Sequence, residues 1–241
     1  MNVLIITGGS KGIGKAIAQK YTTENFTVYS ISRSKAIDDS YHQIEAELSN
    51  SQEAIKAINA IFLKIELTAI SSITLINNAG TLGEIDSLGN IDFKNIQQTI
   101  QLNTTTPLVL SNEFIKLTKK LTCKKQIITI SSGAATNPYA GWSIYCSSKA
   151  AIEMMTKTIA EEQNKLPNEV KAIAIKPGVV DTNMQTQIRD TSETKFKNVQ
   201  RFKDLKEQNQ LYTPEFVADR IYQIDQQNQL ENGAIIDLRN F

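Results

Sequence analysis

Several resources that common chemistries depend on are nearly absent from this chain. Among its 241 residues there is one histidine, His42, in a polar stretch, where it is expected to be solvated rather than catalytic. The two cysteines, Cys123 and Cys146, make neither a metal-ligand spacing nor a disulfide framework, which suits a reducing compartment. Cys146 reads either as a small packing residue or as a reactive thiol. Charge of one sign is also missing. Lys+Arg 26 against Asp+Glu 25 leaves a net charge of +1, so neither a nucleic acid nor an anionic membrane surface is an expected partner. No apolar run approaches the ~20 residues that span a bilayer. With 5 prolines and 11 glycines, none forming a linker, residues 1–241 read as a single domain. The first strand pattern begins at Asn2, so no leader peptide is expected and a cytoplasmic location is.

Apolar strands alternating with helical patterns fill the rest. Strands are expected at 3–6, 27–32, 43–48, 73–77, 126–131, 170–176 and 234–237. The stretch from Arg33 to His42 is too polar and short for a crossover helix and reads as a loop. Such alternation implies an α/β fold, a doubly wound parallel sheet of about seven strands with helices on both faces and ligands at the carboxyl ends of the strands.

The first strand, Val3 to Ile6, runs into Thr7-Gly8-Gly9-Ser10-Lys11-Gly12-Ile13-Gly14 and then directly into a helical pattern. Strand, glycine turn and helix N-terminus in that order make an anion site. Glycines let the backbone approach a phosphate, and the free N–H groups point at it. Further along, Tyr145 is followed four residues later by Lys149 and preceded by Ser132 at the end of an apolar run. On a helix, positions i and i+4 share a face, so the ammonium is expected to lower the phenol pKa and equip it to exchange protons near neutrality. The same spacing also arises when a surface tyrosine lies on a lysine stem.

These residues resemble the short-chain dehydrogenase/reductase family over essentially the whole chain. The family's glycine turn matches Thr7, Gly8, Gly12 and Gly14, its Asn-Asn-Ala-Gly segment is Asn77 to Gly80, and its catalytic Asn, Ser, Tyr and Lys match Asn103, Ser132, Tyr145 and Lys149. The segments Ser131 to Lys149 and Pro177 to Thr182 look like the branch that holds sepiapterin reductase and bacterial benzil reductase. The resemblance implies a cofactor half at about 1–130, a catalytic and substrate half at about 131–241, and a homodimer paired through the helices carrying Asn103 and Lys149. Those helices carry apolar residues at Leu108, Val109, Phe114, Ile115, Ile152, Met155 and Ile159, on more than the sheet-facing side, which suits that pairing. It also implies a cofactor cleft lined by Asn78, Ala79 and Gly80, with Pro177, Gly178, Val180 and Thr182 near the nicotinamide and Lys149 on the ribose.

Charge speaks to the choice of cofactor. An acid after the second strand reads the ribose hydroxyl of NAD, whereas an Arg accommodates the extra phosphate of NADP. Here that strand ends in Ser32-Arg33-Ser34, with Lys11 in the glycine turn, so NADP(H) is expected, held also by Ser10, Ile13, Glu47 and Leu48. Hydride attack leaves charge on a carbonyl oxygen, which Ser132 and Tyr145 would stabilise, Tyr145 giving its proton. Ser131 is the rival serine; the interval to Tyr145 favours Ser132. Asn103, a poor helix former, either bends its helix to expose a carbonyl to a relay water or is incidental.

Tyr139 and Trp142 would wall an aromatic substrate pocket, or Trp142 packs the core. Residues 184–211 are long and polar, with Ile188, Phe196, Val199 and Phe202 as anchors for a lid. Sepiapterin reductases anchor their substrate with an acid near the C-terminus. This tail reads Asp237-Leu238-Arg239-Asn240-Phe241, which favours a small-molecule ketone or vicinal diketone instead. Two alternatives stand: a 3-oxoacyl thioester reductase meeting an acidic carrier through Lys195, Lys197, Arg201 and Lys203, and an NADPH-binding regulatory protein without turnover.

Overall fold

The computed structural model describes residues 1–38 and 40–241. Asp39, inside the stretch expected to be a loop, lies outside the described residues. In chain order the elements are β1 (Asn2–Thr7), α1 (Gly12–Thr23), β2 (Phe26–Ser32), β3 (His42–Glu45), α2 (Ser51–Phe62), β4 (Ser72–Asn77), α3 (Phe93–Ile100), α4 (Thr106–Thr118), β5 (Lys124–Ile130), α5 (Ser143–Gln163), β6 (Lys171–Lys176), α6 (Asn183–Arg189), α7 (Val199–Glu207), α8 (Pro214–Gln227) and β7 (Ile235–Asp237).

The strands form one seven-stranded sheet in the order β3-β2-β1-β4-β5-β6-β7. Every neighbouring pair is parallel. Parallel strands are covered on both faces, which is why their sequences are apolar at successive positions rather than alternate ones. In β1, Val3 and Ile5 pack with α2, α4 and α5 through Ile58, Ile61, Phe114 and Ile159, while Leu4 and Ile6 pack with α1 and α8 through Ile17, Val217 and Ile221. Each such side chain, removed from water, contributes about 1.5–3 kcal/mol.

The chain leaves β1 toward β2 and β3, then returns through α2 to place β4 on the other side of β1. That reversal opens a crevice at the carboxyl ends of β1 and β4. Thr7 closes its floor: its Oγ1 accepts from the backbone N–H of Asn78 and of Ala79, both at 3.0 Å, while Asn78 Nδ2 donates to the Thr7 carbonyl at 2.9 Å.

The third strand is shorter than its expected range of 43–48. It ends at Glu45, so Glu47 and Leu48 sit in the following loop, where Ala46 N–H bonds to the Ser32 carbonyl and Glu47 is held by Glu53 and Ser49. His42 is likewise on β3 rather than in the loop, exposed, and stacked on Tyr29 at 4.8 Å between ring centres. Among the described residues no helix is long and apolar enough to cross a membrane.

Candidate active site

A cavity of about 970 Å³ runs along the carboxyl edge of the sheet, from Arg33 and Glu47 at one end to Tyr139, Trp142 and Arg239 at the other. It brings together every cofactor and substrate candidate read from the sequence except Thr7 and Asn103, which sit behind its wall.

The glycine turn forms its first wall. Gly8 and Gly12 have φ of +71° and +55°, and a Cβ on Gly14 would lie 2.3 Å from the Gly8 carbonyl oxygen. Only glycine folds so tightly there. Helix α1 has no side chain capping its N-terminus, and its first turn, Gly12 to Gly14, lines the cavity. Unmet N–H groups at a helix start, a glycine cradle and a cavity of this size fit a dinucleotide, with the pyrophosphate at α1. At the far end Arg33 is exposed, no carboxylate directly follows β2, and Glu47, an acid lining the same cavity, is held below the usual carboxylate range by the Ser49 N–H and hydroxyl, with Arg33 adding to the effect.

The opposite wall carries the chemistry. Ser132 lies just past β5, and its Oγ accepts from Ala134 N–H at 3.2 Å. The rival Ser131 is committed elsewhere, donating to the buried Glu153 at 2.7 Å, which Lys176 pairs with at 3.3 Å. Helix α5 presents Tyr145 and Lys149 on one face, both buried, with the ammonium 5.6 Å from the phenol ring centre. Lys149 Nζ donates to the Ile130 carbonyl at 2.7 Å.

The electrostatics correct one expectation. Burial pushes the Tyr145 phenol up to about 12, with the neighbouring Ser132 hydroxyl opposing, so Lys149 does not lower it. Burial also lowers Lys149 to about 8. Desolvation penalises whichever form is charged, and here it outweighs the attraction that the i, i+4 spacing implies. Cys146 behaves in the same way, its half-buried thiol pushed up by desolvation, which is the mark of a packing residue rather than a reactive thiolate.

Asn103 sits in a π-helical turn, Gln101–Thr105, joining α3 to α4. The regular α-helical bonding is therefore interrupted at the position where a bend was expected. The side chain also does what its sequence position could not reveal: Oδ1 accepts from Thr81 N–H at 2.9 Å, and Nδ2 donates to the Thr81 carbonyl at 2.7 Å and to Ser148 Oγ at 3.1 Å. It thereby ties the loop after β4 to α5 at the residue next to Lys149.

Trp142 serves both readings offered for it. It is 5% exposed and stacks on Phe196 at 4.5 Å, yet it lines the cavity beside Tyr139, whose ring centre is 5.0 Å away. All four anchors of 184–211, Ile188, Phe196, Val199 and Phe202, are buried in this same cluster. The cavity wall also holds Lys176, Asp237 and Arg239, to which the sequence reading assigned no place in the site. The signal for Arg239 is a basic residue two positions after the last strand pattern.

The fold and this arrangement define a class, and the comparisons agree. The family model described as short chain dehydrogenase matches residues 2–193, and the chain belongs to that family. Its members bind a nicotinamide cofactor and act as oxidoreductases at carbonyl and hydroxyl groups. The chain is 39% identical to the benzil reductase ((S)-benzoin forming) of Bacillus subtilis (strain 168), over 100% of each chain. It is 28% identical to the sepiapterin reductase of Meriones unguiculatus, over 98% of this chain and 95% of that one. Among solved structures, the KRED1-Pglu enzyme superposes with a TM-score of 0.85 at 26% identity, covering 98% of this chain and 100% of that one.

Proposed function

We propose that this chain is an NADPH-dependent carbonyl reductase for aromatic ketones and vicinal diketones, with Asn103, Ser132, Tyr145 and Lys149 as its catalytic set. One observation carries the reading: Ser132, Tyr145 and Lys149 converge on the same cavity that opens at the glycine turn and ends in an aromatic wall. When bound, the reduced nicotinamide supplies a hydride to the carbonyl carbon. The chain's own residues handle the oxygen. Ser132 and Tyr145 hydroxyls donate to it as negative charge develops, and Tyr145, which is protonated throughout the neutral range, passes its proton to give the alcohol. Lys149, fixed by the Ile130 carbonyl, holds the ribose hydroxyls and returns a positive charge to the phenolate; Asn103 positions the helix that carries it.

Arg33 and Lys11 read the 2′-phosphate. Tyr139 and Trp142 give an aryl group a flat surface, in keeping with the substrate named for the Bacillus relative. Asp237 is engaged by Arg239 and so is not a free anchor for a pterin. The carrier-bound alternative has less support, because Lys195 pairs with Asp86 and Arg201 donates to the Tyr139 hydroxyl instead of forming a free basic face. The working unit is a homodimer in the cytoplasm.

The test is Tyr145→Phe assayed with benzil and NADPH. Turnover is expected to fall by ~10²–10⁴ with NADPH affinity nearly unchanged, since only the hydroxyl is lost. A variant that keeps more than about a tenth of the wild-type kcat has its acid elsewhere.

A further inference from the structure

After β7 the chain makes a tight turn, Leu238–Asn240, anchored by the buried Leu238, and this brings Arg239 into the cavity wall. Its position is well defined. A methyl group built on Gly133 would lie 3.8 Å from Arg239 Nη2, and one on Gly178 would lie 3.5 Å from Arg239 Cγ. The guanidinium is therefore beside the residue that follows Ser132 and against the loop that follows β6. Gly178 has φ of +79°, and a Cβ there would strike the Tyr212 ring at 2.9 Å, while the Arg239 stem lies at ordinary contact distance beside it.

Asp237 holds the fork from one side. Its Oδ1 accepts from Arg239 Nε at 2.8 Å and from the Arg239 backbone N–H at 3.1 Å, and its Oδ2 accepts from Nη2. A guanidinium carries five N–H donors, of which Asp237 takes two. Among the described residues the others have no protein acceptor, and the side chain is 48% exposed. Unspent donors thus lie at a cavity wall that also carries Tyr139, Trp142, Arg201 and Phe202.

We propose that Arg239 is a substrate-binding residue that donates to a second acceptor oxygen next to the reacting carbonyl, so that it selects vicinal dicarbonyl compounds over simple ketones. This rests on the carbonyl-reductase reading of the same cavity and narrows its substrate. Charge decides which oxygen it takes. The Arg239 charge is already matched by Asp237, the nearby Lys176 is paired with Glu153, and Arg201 is turned to the Tyr139 hydroxyl, so what Arg239 itself offers is donors rather than an unmatched charge. Such a site suits a neutral carbonyl better than a free carboxylate.

The experiment compares benzil with deoxybenzoin, which keeps both phenyl rings and replaces one carbonyl by a methylene. Benzil is intrinsically the more reactive, so the readout is the change on mutation rather than the wild-type preference. For Arg239→Met, kcat/KM on benzil is expected to fall roughly ten- to hundredfold, the effect of one hydrogen bond from a charged donor. The loss should lie mainly in KM, with less than a threefold change on deoxybenzoin or in the KM for NADPH, and Arg239→Lys should recover part of it. Asp237→Asn/Arg239→Met, which removes the carboxylate left unpaired, should behave the same way. Equal losses on both ketones, or a raised KM for NADPH, would overturn the assignment.

Should the wild type turn over neither ketone, the carbonyl-reductase reading falls by itself. The contact can still be read, because Trp142 is the only tryptophan and lies in the wall. Benzil should then quench its fluorescence with an affinity that Arg239→Met weakens and deoxybenzoin does not share; equal binding of both ketones rejects the contact.

Discussion

At the scale of single residues, burial sets the protonation of the two groups at the centre of the site. Tyr145, pushed up to about 12, keeps its proton at any physiological pH. Lys149 is the group that titrates: lowered to about 8, it is cationic below that value and loses its charge as pH rises through it. If the ammonium is what returns charge to the phenolate, carbonyl reduction should be level from pH 6 to 7.5 and decline above about 8, as read from kcat/KM against pH. Lys149→Arg, whose guanidinium stays charged beyond about pH 12, should lack that alkaline limb. A limb that persists in the variant belongs to another group. The second residue-scale expectation concerns Arg33. NADPH should be preferred over NADH by one to three orders of magnitude, at roughly 1.5–3 kcal/mol per charge-assisted hydrogen bond. Arg33→Asp should erase most of that ratio by weakening NADPH alone, and equal kcat/KM with both cofactors in the wild type would remove the basis for it.

Among the elements, α8 is tied to the rest by one buried carboxylate. Asp225 is fully buried and accepts from Tyr21 of α1 at 2.8 Å, from Thr74 of β4 at 3.2 Å and from Lys124 of β5 at 2.8 Å. Its partners are distributed over three elements, so its loss should loosen α8 from the sheet face. Asp225→Ala leaves Tyr21 without its acceptor and Lys124 without its counter-charge, with only the backbone carbonyl of residue 225 to bond, and should cost about 3–5 kcal/mol. For a chain of this size that lowers Tm by roughly 6–20 °C, measurable by thermal or denaturant unfolding. A change below about 1 kcal/mol would mean that the network adds little. The π-helical turn at Asn103 shows the limits of reading elements from sequence. An Asn in an apolar helical pattern marks a bend, but the three bonds that use the bend go to Thr81 and Ser148, residues far apart in the chain.

For the whole molecule, the surface around α4 and α5 bears on assembly. Of the apolar positions expected to pair two copies, Phe114, Ile152 and Ile159 turn inward and are buried. Leu108 is 51% exposed, and Val109, Ile115 and Met155 are partly so; Met154, which was not among those expected, is 62% exposed. The inward residues are spent on the sheet, so a dimer would use Leu108 and Met154 together with the partly covered positions. Light scattering at micromolar concentration should give twice the chain mass, and Leu108→Glu/Met154→Lys should halve it. A wild-type monomer would refute the dimer.

What the sequence determined by itself was whatever depends on neighbours along the chain. Apolar runs in β1, β2, β4, β5 and β6 are buried, so they are recognisable without knowing what covers them, and the glycine turn is legible because Gly8 and Gly12 take positive φ and a Cβ on Gly14 would strike the Gly8 carbonyl. The order of alternating strands and helices carried the parallel sheet with it. Tyr145 and Lys149 were visible because a helix turn relates them. Tertiary structure decided the rest. It moved Glu47 and Leu48 off the third strand, since β3 pairs with β2 only as far as Glu45. It reversed the expected direction of the Tyr145 shift, because desolvation depends on everything packed around the phenol and not on the lysine one turn away. It also brought Arg239 beside Gly133 and Gly178, a meeting of the chain's end with two distant loops that exists only once β7 has paired with β6.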